Sequence, residues 1–476
     1  MALKAGCDIN SGRIYSANVK KAVDEGLLAE SVVDAALVNA FKIRIRLGLF
    51  DPPTEQPTYA PELVFSAANQ ELSLEASRQG LTLLSNKKAA LPLSIGKYKQ
   101  IAVIGPNSLT KNMMIGGTGG GLLGAQVVCV GAQNRSDFRC LSNPFDAIQA
   151  AAGKASTVST AQGCRITGPS SNKTGQGQAV ALAAASDAVI LVIGGDWSLE
   201  HEGIDRKSIE LPGGQNALVK AVRAALKPGV PLVAVMVHGG SMDISTVLSE
   251  TDAVLDAFYP GQFGAKAIAE TLFGLSTPGG KLPYTYYKAA YTDTIKMSDF
   301  SCATGVGRGY RYMKPDDKNI LLPFGHGKSY TTFDVALRWP KPGAAATLDN
   351  SDASAAVNFT FTVKNSGAKY AGSETVMAFY KPHNRTNSGG AELLPLQRRL
   401  FGFAKVGPLQ PGEQQQATIS ATVARTAMVD AAGSLVSIPG TYDVILSTGS
   451  DTAKDITAAL TVKGTYAVLE MLPPGI

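Results

Sequence analysis

Three short apolar runs rich in β-branched residues, Ile101 to Ile104, Ala188 to Ile193 and Leu232 to Val237, most constrain how this chain can fold. None carries the alternating polar residues of a strand with one wet face. Each must therefore be covered on both faces, as strands inside a mostly parallel sheet are. Each run also meets glycine at its end: Gly105, Gly194-Gly195, and Gly239-Gly240 after His238. Leu218, Val222 and Ala225 recur at helical spacing between the second and third runs, and a helix over Ala67 to Gly80 leads into Leu81 to Leu84. Strands alternating with helices predict an α/β domain over residues 61–290. In such sheets ligands gather beyond the C-terminal ends of the strands, so the glycine-containing loops are where chemistry is expected.

The flanks read differently. Residues 1–60 open without strands and carry Val33, Ala36, Leu37, Ala40, Arg44 and Leu47 at helical spacing, closed by Gly48. This piece is too small to be a domain by itself, and its apolar face calls for a partner. From residue 350 onward the texture alternates, with Val357, Phe359, Phe361 and Val363 on one face and Asn358, Thr360 and Thr362 on the other. Turn signals at Asn365-Ser366-Gly367, Pro411-Gly412 and Pro439-Gly440, and a second β-rich stretch over Thr441 to Ser447, predict an antiparallel sandwich over 350–476. Residues 291–349 are then a linker packing on both domains.

Composition removes whole classes of function. Hydrophobic residues make up 45% of the 476 and charged residues 17%, which excludes wholesale disorder. No apolar run approaches the roughly 20 residues that cross a bilayer. The net charge of +6 is spread along the sequence without a basic block, so nucleic-acid binding gains no support. Five cysteines are too few and too scattered for a disulfide scaffold or a paired zinc motif, although Cys129 and Cys140 are close enough to staple one loop. Four sequons, at Asn134, Asn172, Asn358 and Asn384, fit a secreted protein. The N-terminal Met1 to Cys7 has no apolar core of a signal peptide.

Several catalytic signatures are nearly present and fail. Gly325-His326-Gly327-Lys328-Ser329 ends like a phosphate loop, but Leu322 stands where the first glycine is needed. His238-Gly239-Gly240-Ser241 is like an esterase oxyanion loop, yet Met242-Asp243 breaks the nucleophile elbow. None of the four histidines lies in a zinc-hydrolase pattern, and no cofactor is called for. The glycine run Gly116 to Gly121 lacks the lysine and helix start of a nucleotide loop. What remains is the segment Asp196 to Arg206, directly after the second apolar run, with Asp196, Trp197, Glu200, Glu202, Asp205 and Arg206 on one loop. A tryptophan face can stack on a sugar, and a partly buried carboxyl with a raised pKa can protonate a glycosidic oxygen. The same residues equally suit a solvated acidic loop with an Asp205–Arg206 surface pair.

At this loop the sequence resembles the family 3 glycoside hydrolases, in blocks that run in the family's order from end to end. They are Ala5-Gly-Cys-Asp-Ile-Asn10, Leu47-Gly-Leu-Phe50, Leu83-Leu-Ser-Asn86 with Ala90-Leu-Pro-Leu93, and Ile101-Ala-Val-Ile-Gly-Pro-Asn107. Tyr259-Pro-Gly-Gln262, Leu272-Phe-Gly274 with Pro278-Gly-Gly-Lys-Leu-Pro283, Tyr310-Arg-Tyr312, and Leu322 through Phe333 follow. The acidic loop and Cys7-Asp8-Ile9-Asn10 look most like the β-xylosidase branch. The resemblance implies a (β/α)8 barrel, an α/β sandwich and a fibronectin type III-like β-sandwich, of which residues 1–60 would be the last remnant of the barrel. It also implies a retaining, exo-acting, metal-free glycosidase with an oligosaccharide as partner. Glu200 would be the acid/base, with Glu202 second. Trp197, Asp196, Asp8 and Arg206 would surround the sugar, Asp8 shaping the site rather than attacking, and Asp205 would brace the loop with Arg206.

The family's nucleophile lies in a Ser-Asp motif upstream of the block matched by Ala5 to Asn10. The expectation is therefore a chain lacking most of the barrel and, taken alone, little or no hydrolysis. A non-catalytic carbohydrate-binding protein is the second expectation and a β-glucosidase a third. An α/β esterase is disfavoured by the missing elbow serine.

Overall fold

The computed structural model describes residues 1–55, 61–116, 129, 137–168, 175–201, 203–296, 298–341, 343–383, 396–430, 432–449 and 451–471. Residues 1–69 form one compact unit and residues 70–470 another.

The first unit holds helices Ile14–Asp24 and Glu30–Arg46 and no strand among its described residues. Asn10 Oδ1 accepts the Ile14 N–H at 3.1 Å at the start of the first helix. Gly48, at φ +73°, ends the second in the left-handed conformation glycine adopts without strain. That helix buries Ala36 and Ala40, while Leu37, Phe41 and Ile45 are exposed.

The second unit is built on a six-stranded sheet of β1 (Thr82–Asn86), β2 (Gln100–Ile104), β3 (Thr157–Ala161), β4 (Ala188–Gly194), β5 (Leu232–Val237) and β6 (Ala253–Asp256). The order is β1-β6-β5-β4-β2-β3, with β1 antiparallel to β6 and every other pair parallel. Every residue of β4 and β5 is buried, which is why both read as unbroken apolar runs. Helices Gln215–Ala225 and Gly264–Leu272 turn their apolar faces to opposite sides of the sheet, into separate cores. Two glycines that end apolar runs are sterically required. A Cβ on Gly105 would stand 2.1 Å from the Val192 carbonyl oxygen, and one on Gly194 2.1 Å from that of Val237.

The segment resembling a phosphate loop has a structural task. The Lys328 N–H bonds the Leu83 carbonyl at 2.8 Å, and His326 Nε2 the Leu84 carbonyl at 2.8 Å, so it seals one side of β1. Burial pushes the His326 pKa down, and the ring serves as a neutral donor.

The β-sandwich pairs a five-stranded sheet, in the order Ala346–Asp349, Ile456–Lys463, Gly440–Ser447, Gly372–Pro382 and Arg399–Leu409, with a three-stranded one of Gln414–Thr422, Ala356–Asn365 and Phe333–Trp339. Phe359, Phe361 and Val363 point into its core. Two of these strands precede residue 350: Phe333–Trp339 pairs with Ala356–Asn365, and Ala346–Asp349 with Ile456–Lys463. The sandwich thus takes in the last part of the stretch expected to be a linker. Both strands lie at sheet edges and are short or half-exposed, so their pattern is weak in sequence. Lys281 and Glu374, each 11% exposed, form a 2.8 Å ion pair that ties the α/β part to the sandwich.

Candidate active site

The loop that leaves β4 is set by buried polar contacts. The Gln215 side chain accepts the Gly194 N–H at 2.8 Å and donates to its carbonyl at 2.7 Å, while Asn107 Nδ2 donates to the Gly195 carbonyl at 2.9 Å. Asp196 Oδ1 then accepts the Ser198 N–H at 3.0 Å in a tight local turn. Trp197 is 38% exposed and meets the His201 ring edge-on, centroids 6.1 Å apart.

Glu200 stands at the sheet's C-terminal edge with its side chain 19% exposed and its carboxylate gripped from several directions. Arg206 Nε donates to Oε2 at 2.8 Å; the Gly239 N–H and the Tyr259 hydroxyl donate to Oε1 at 2.8 and 3.0 Å. The Gly240 N–H reaches the same carboxylate at 3.4 Å. Burial pushes the Glu200 pKa up, but Arg206, the Gly239 N–H, Tyr259 and the Gly240 N–H together outweigh it and hold the carboxyl below its ordinary range. This corrects the expectation of a raised pKa: within this chain the donors favour the ionised form. Arg206 pairs with Glu200 rather than with the exposed Asp205, and its Nη2 also holds the Ser241 carbonyl at 3.0 Å.

Behind the Gly239-Gly240 turn lies a layer the sequence did not reveal. His238 is fully buried, its Nδ1 2.9 Å from the Gly240 carbonyl and its Nε2 2.8 Å from Tyr286 Oη and 3.3 Å from Asp256 Oδ1. The Tyr286 hydroxyl donates to Asp256 Oδ2, and Tyr284 donates to the Gly239 carbonyl at 3.0 Å. A carbonyl can only accept, so Nδ1 carries a proton. Nε2 faces a carboxylate oxygen and a hydroxyl whose proton is already committed, so it carries one as well. The arrangement favours the protonated form of His238. Burial alone pushes its pKa down, and the Asp256 carboxylate reverses this and raises it. Burial, and then the Glu200 charge, raise the Tyr259 pKa, which keeps that hydroxyl a donor.

Of the other residues singled out in sequence, Glu202 lies outside the described residues, as do Asn134, Asn172 and Asn384. Asp8 belongs to the N-terminal unit, where Asn39 Nδ2 donates to its Oδ2 at 3.2 Å. The oxyanion-like His238-Gly239-Gly240 turn does present N–H groups to a negative oxygen, but that oxygen is the Glu200 carboxylate. Tyr259, Tyr284, Tyr286 and Asp256 carried no local signal beyond the block Tyr259 to Gln262; they meet only because β5 and β6 are neighbours and Tyr286 folds back on their ends.

A mostly parallel α/β sheet with a gripped carboxylate and an exposed tryptophan at its C-terminal edge, followed by a β-sandwich, defines an α/β plus all-β protein whose candidate site lies where such sheets gather ligands. Residues 81–330 match the glycosyl hydrolase family 3 C-terminal domain and residues 375–450 the fibronectin type III-like domain. The chain belongs to glycosyl hydrolase family 3. It is 32% identical to Beta-D-xylosidase 1 of Arabidopsis thaliana over 441 residues, covering 87% of this chain and 53% of that protein. It is also 32% identical over 483 residues to a probable exo-1,4-beta-xylosidase bxlB of Aspergillus terreus, covering 99% and 58%. Among solved structures, a GH3 exo-beta-xylosidase, XlnD, in complex with a xylobiose aziridine activity-based probe superposes with a TM-score of 0.82 at 25% identity, over 99% of this chain and 58% of that one. A beta-glucosidase from Listeria innocua, at 22% identity and TM-score 0.75, shares the fold. The chain spans little more than half the length of the curated relatives it matches.

Proposed function

We propose that this chain is the acid/base-bearing portion of a retaining, exo-acting β-glycosidase that removes terminal xylose from β-1,4-linked xylo-oligosaccharides. The observation that carries this is the partly exposed Glu200 carboxylate, held by Arg206, Gly239 and Tyr259 beside the exposed Trp197. Retention needs two carboxyls about 5–5.5 Å apart, one to attack the anomeric carbon and one to give a proton to the departing oxygen and later take one from water. Glu200 fills the second role. Its donors stabilise the ionised form that the water-activating step needs. A second carboxylate brought close opposes ionisation and lets Glu200 carry the proton in the first step. On the family's plan the attacking aspartate belongs to barrel sequence upstream of the block matched by Ala5 to Asn10. Trp197 offers a face for the sugar ring, Asp196 an acceptor for its hydroxyls, and Arg206 Nη1, buried without a protein partner, a donor. Xylose as the sugar is supported by the activities for which the relatives are named.

The test joins residues 1–476 to a family barrel carrying the Ser-Asp motif and follows release of nitrophenol from nitrophenyl β-xyloside. The joined protein hydrolyses it, Glu200→Gln lowers kcat by about 10²–10⁴-fold, and residues 1–476 alone give little or none. Hydrolysis indifferent to Glu200→Gln overturns the acid/base role, and turnover by the 476 residues alone overturns the division of labour. Secretion is supported by the Cys129–Cys140 disulfide and by the exposed Asn358 of the sequon Asn358-Phe359-Thr360. A second reading, sugar binding without turnover, is favoured by the exposed Trp197; xylobiose affinity weakened by Trp197→Ala with no hydrolysis in the joined protein would establish it.

A further inference from the structure

A cleft of about 1000 Å³ opens at the opposite edge of the six-stranded sheet. It is walled by the residues that end β1 and precede β2, β5 and β6, and by Lys369, Tyr370, Thr448, Asp451 and Lys454 of the sandwich. The six or seven residues of β4 and β5, at about 3.3 Å each, put roughly 20 Å of packed strand between it and the Glu200 loop.

Seven cationic and three acidic side chains line the cleft, a surplus of four in a chain whose net charge is +6. Part of the lining is already engaged: Arg223 pairs with Asp252 at 2.8 Å, Glu374 with Lys281 at 2.8 Å, and Lys87 Nζ is held, still charged, by the carbonyls of Leu248, Ser249 and Thr251. Lys88, Lys97, Lys328, Lys369 and Lys454 remain, facing Asp451 alone, and among the described residues none of the five has a carboxylate within 4 Å. They come from four separate stretches of sequence, so only the fold gathers them.

Other features mark the cleft as built. Lys97 and Lys369 are steadied over the rings of Tyr98 and Tyr370, at 5.0 and 4.8 Å from the centroids. Lys88 and Ala89 both adopt positive φ, 52° and 51°, a conformation that non-glycine residues adopt at a cost and that clusters at ligand sites. Ser329 Oγ is buried with no protein partner, and Ser94, Thr331, Thr332 and Thr448 add hydroxyls to the lining. Low-dielectric concave walls focus the field of uncompensated charges on whatever enters.

We propose that this cleft is a second carbohydrate site that takes an oligosaccharide bearing a carboxylate, such as a uronic-acid branch. The lysines supply the charge recognition; the tyrosines and hydroxyls suit a sugar better than a bare ion, and the volume exceeds what a single small anion fills. The anionic character of the ligand stands on the cleft alone, whereas the choice of a sugar over another polyanion rests on the proposed glycosidase function.

Calorimetric binding by the 476-residue chain tests it, with neutral xylotetraose, the same oligosaccharide carrying a uronic-acid branch, free glucuronate and a short DNA duplex as probes. The branched acidic oligosaccharide binds at least tenfold tighter than the neutral one, and the difference shrinks as salt rises from 50 to 300 mM. Lys88→Glu with Lys328→Glu, both exposed, removes that preference while the thermal midpoint stays within a few degrees. Equal affinity for acidic and neutral oligosaccharides, or a preference untouched by the two substitutions, overturns the site; tighter binding of the duplex or equal binding of free glucuronate overturns its assignment to an oligosaccharide. Hydrolysis by the barrel-joined protein is read separately: its loss with acidic-sugar binding intact sinks the glycosidase reading alone, and the converse sinks the cleft alone.

Discussion

Replacing Asp256 with asparagine removes the charge that keeps His238 protonated while leaving the side-chain volume nearly unchanged. In the native protein Nδ1 of His238 faces the Gly240 carbonyl and Nε2 faces Tyr286 and Asp256, away from water, a setting that favours the doubly protonated ring. In Asp256→Asn a protonated His238 has no counter-charge, and at acid pH, where the ring is charged, breaking this buried ion pair from one side costs about 3–5 kcal/mol. That is a large share of the 5–15 kcal/mol by which domains are stable. The pH dependence carries the sharper signature. The native His238 pKa is raised, so the stabilisation is fully present below the unfolded histidine value of about 6.5 and is lost as pH climbs through the folded value. Native stability therefore declines with rising pH over that window, by up to 1.36 kcal/mol per pH unit for one proton. In the variant, burial opposes the charge without Asp256, the folded pKa falls below the unfolded one, and stability instead rises with pH up to about 6.5. Urea denaturation between pH 5 and 9 reads both slopes. Parallel curves for the two proteins would refute the charged state of His238.

Arg206→Leu deletes the leading cause that lowers the Glu200 pKa, so the carboxyl takes up its proton at higher pH, as a carbon-13 NMR titration of the glutamate carboxyls would register; a downward shift contradicts the gripped-carboxylate geometry. Lys281→Ala strands the buried Glu374 and costs about 3–5 kcal/mol, less at acid pH because burial already favours the protonated form, and Lys281→Met with Glu374→Met regains most of the loss in the same denaturation assay. Gly194→Ala drives a Cβ to 2.1 Å from the Val237 carbonyl oxygen and costs at least ~2 kcal/mol, seen as a lowered denaturation midpoint. Reducing Cys129–Cys140, which are 11 residues apart, costs about 3 kcal/mol by the loop-entropy relation, read as the midpoint shift on adding reductant.

The central strands were legible because their requirement is local. A strand covered on both faces must be apolar throughout, and β4 and β5 are so. The glycines after them were legible as turn points, although the reason, a neighbouring strand's carbonyl 2.1 Å from any Cβ, is not. Strands β3 and β6 escaped because Thr157–Ala161 is half polar at an edge of the sheet and Ala253–Asp256 is only four residues long.

The sequence by itself determined that the apolar runs at 101–104, 188–193 and 232–237 build a mostly parallel α/β sheet, that a β-sandwich follows, and that Glu200 lies on the loop after a buried strand. Periodicity and the order of family blocks are properties of neighbours along the chain. Which groups hold Glu200, and in which protonation state, was decided by tertiary structure, because Arg206, Gly239 and Tyr259 converge from three loops and their combined donors outweigh burial. The same holds for charge. Lysines at 88, 97, 328, 369 and 454 look dispersed in a chain of net charge +6, and only strand order and the docked sandwich bring them to one cleft, where the Coulomb energy depends on distance through space rather than along the sequence.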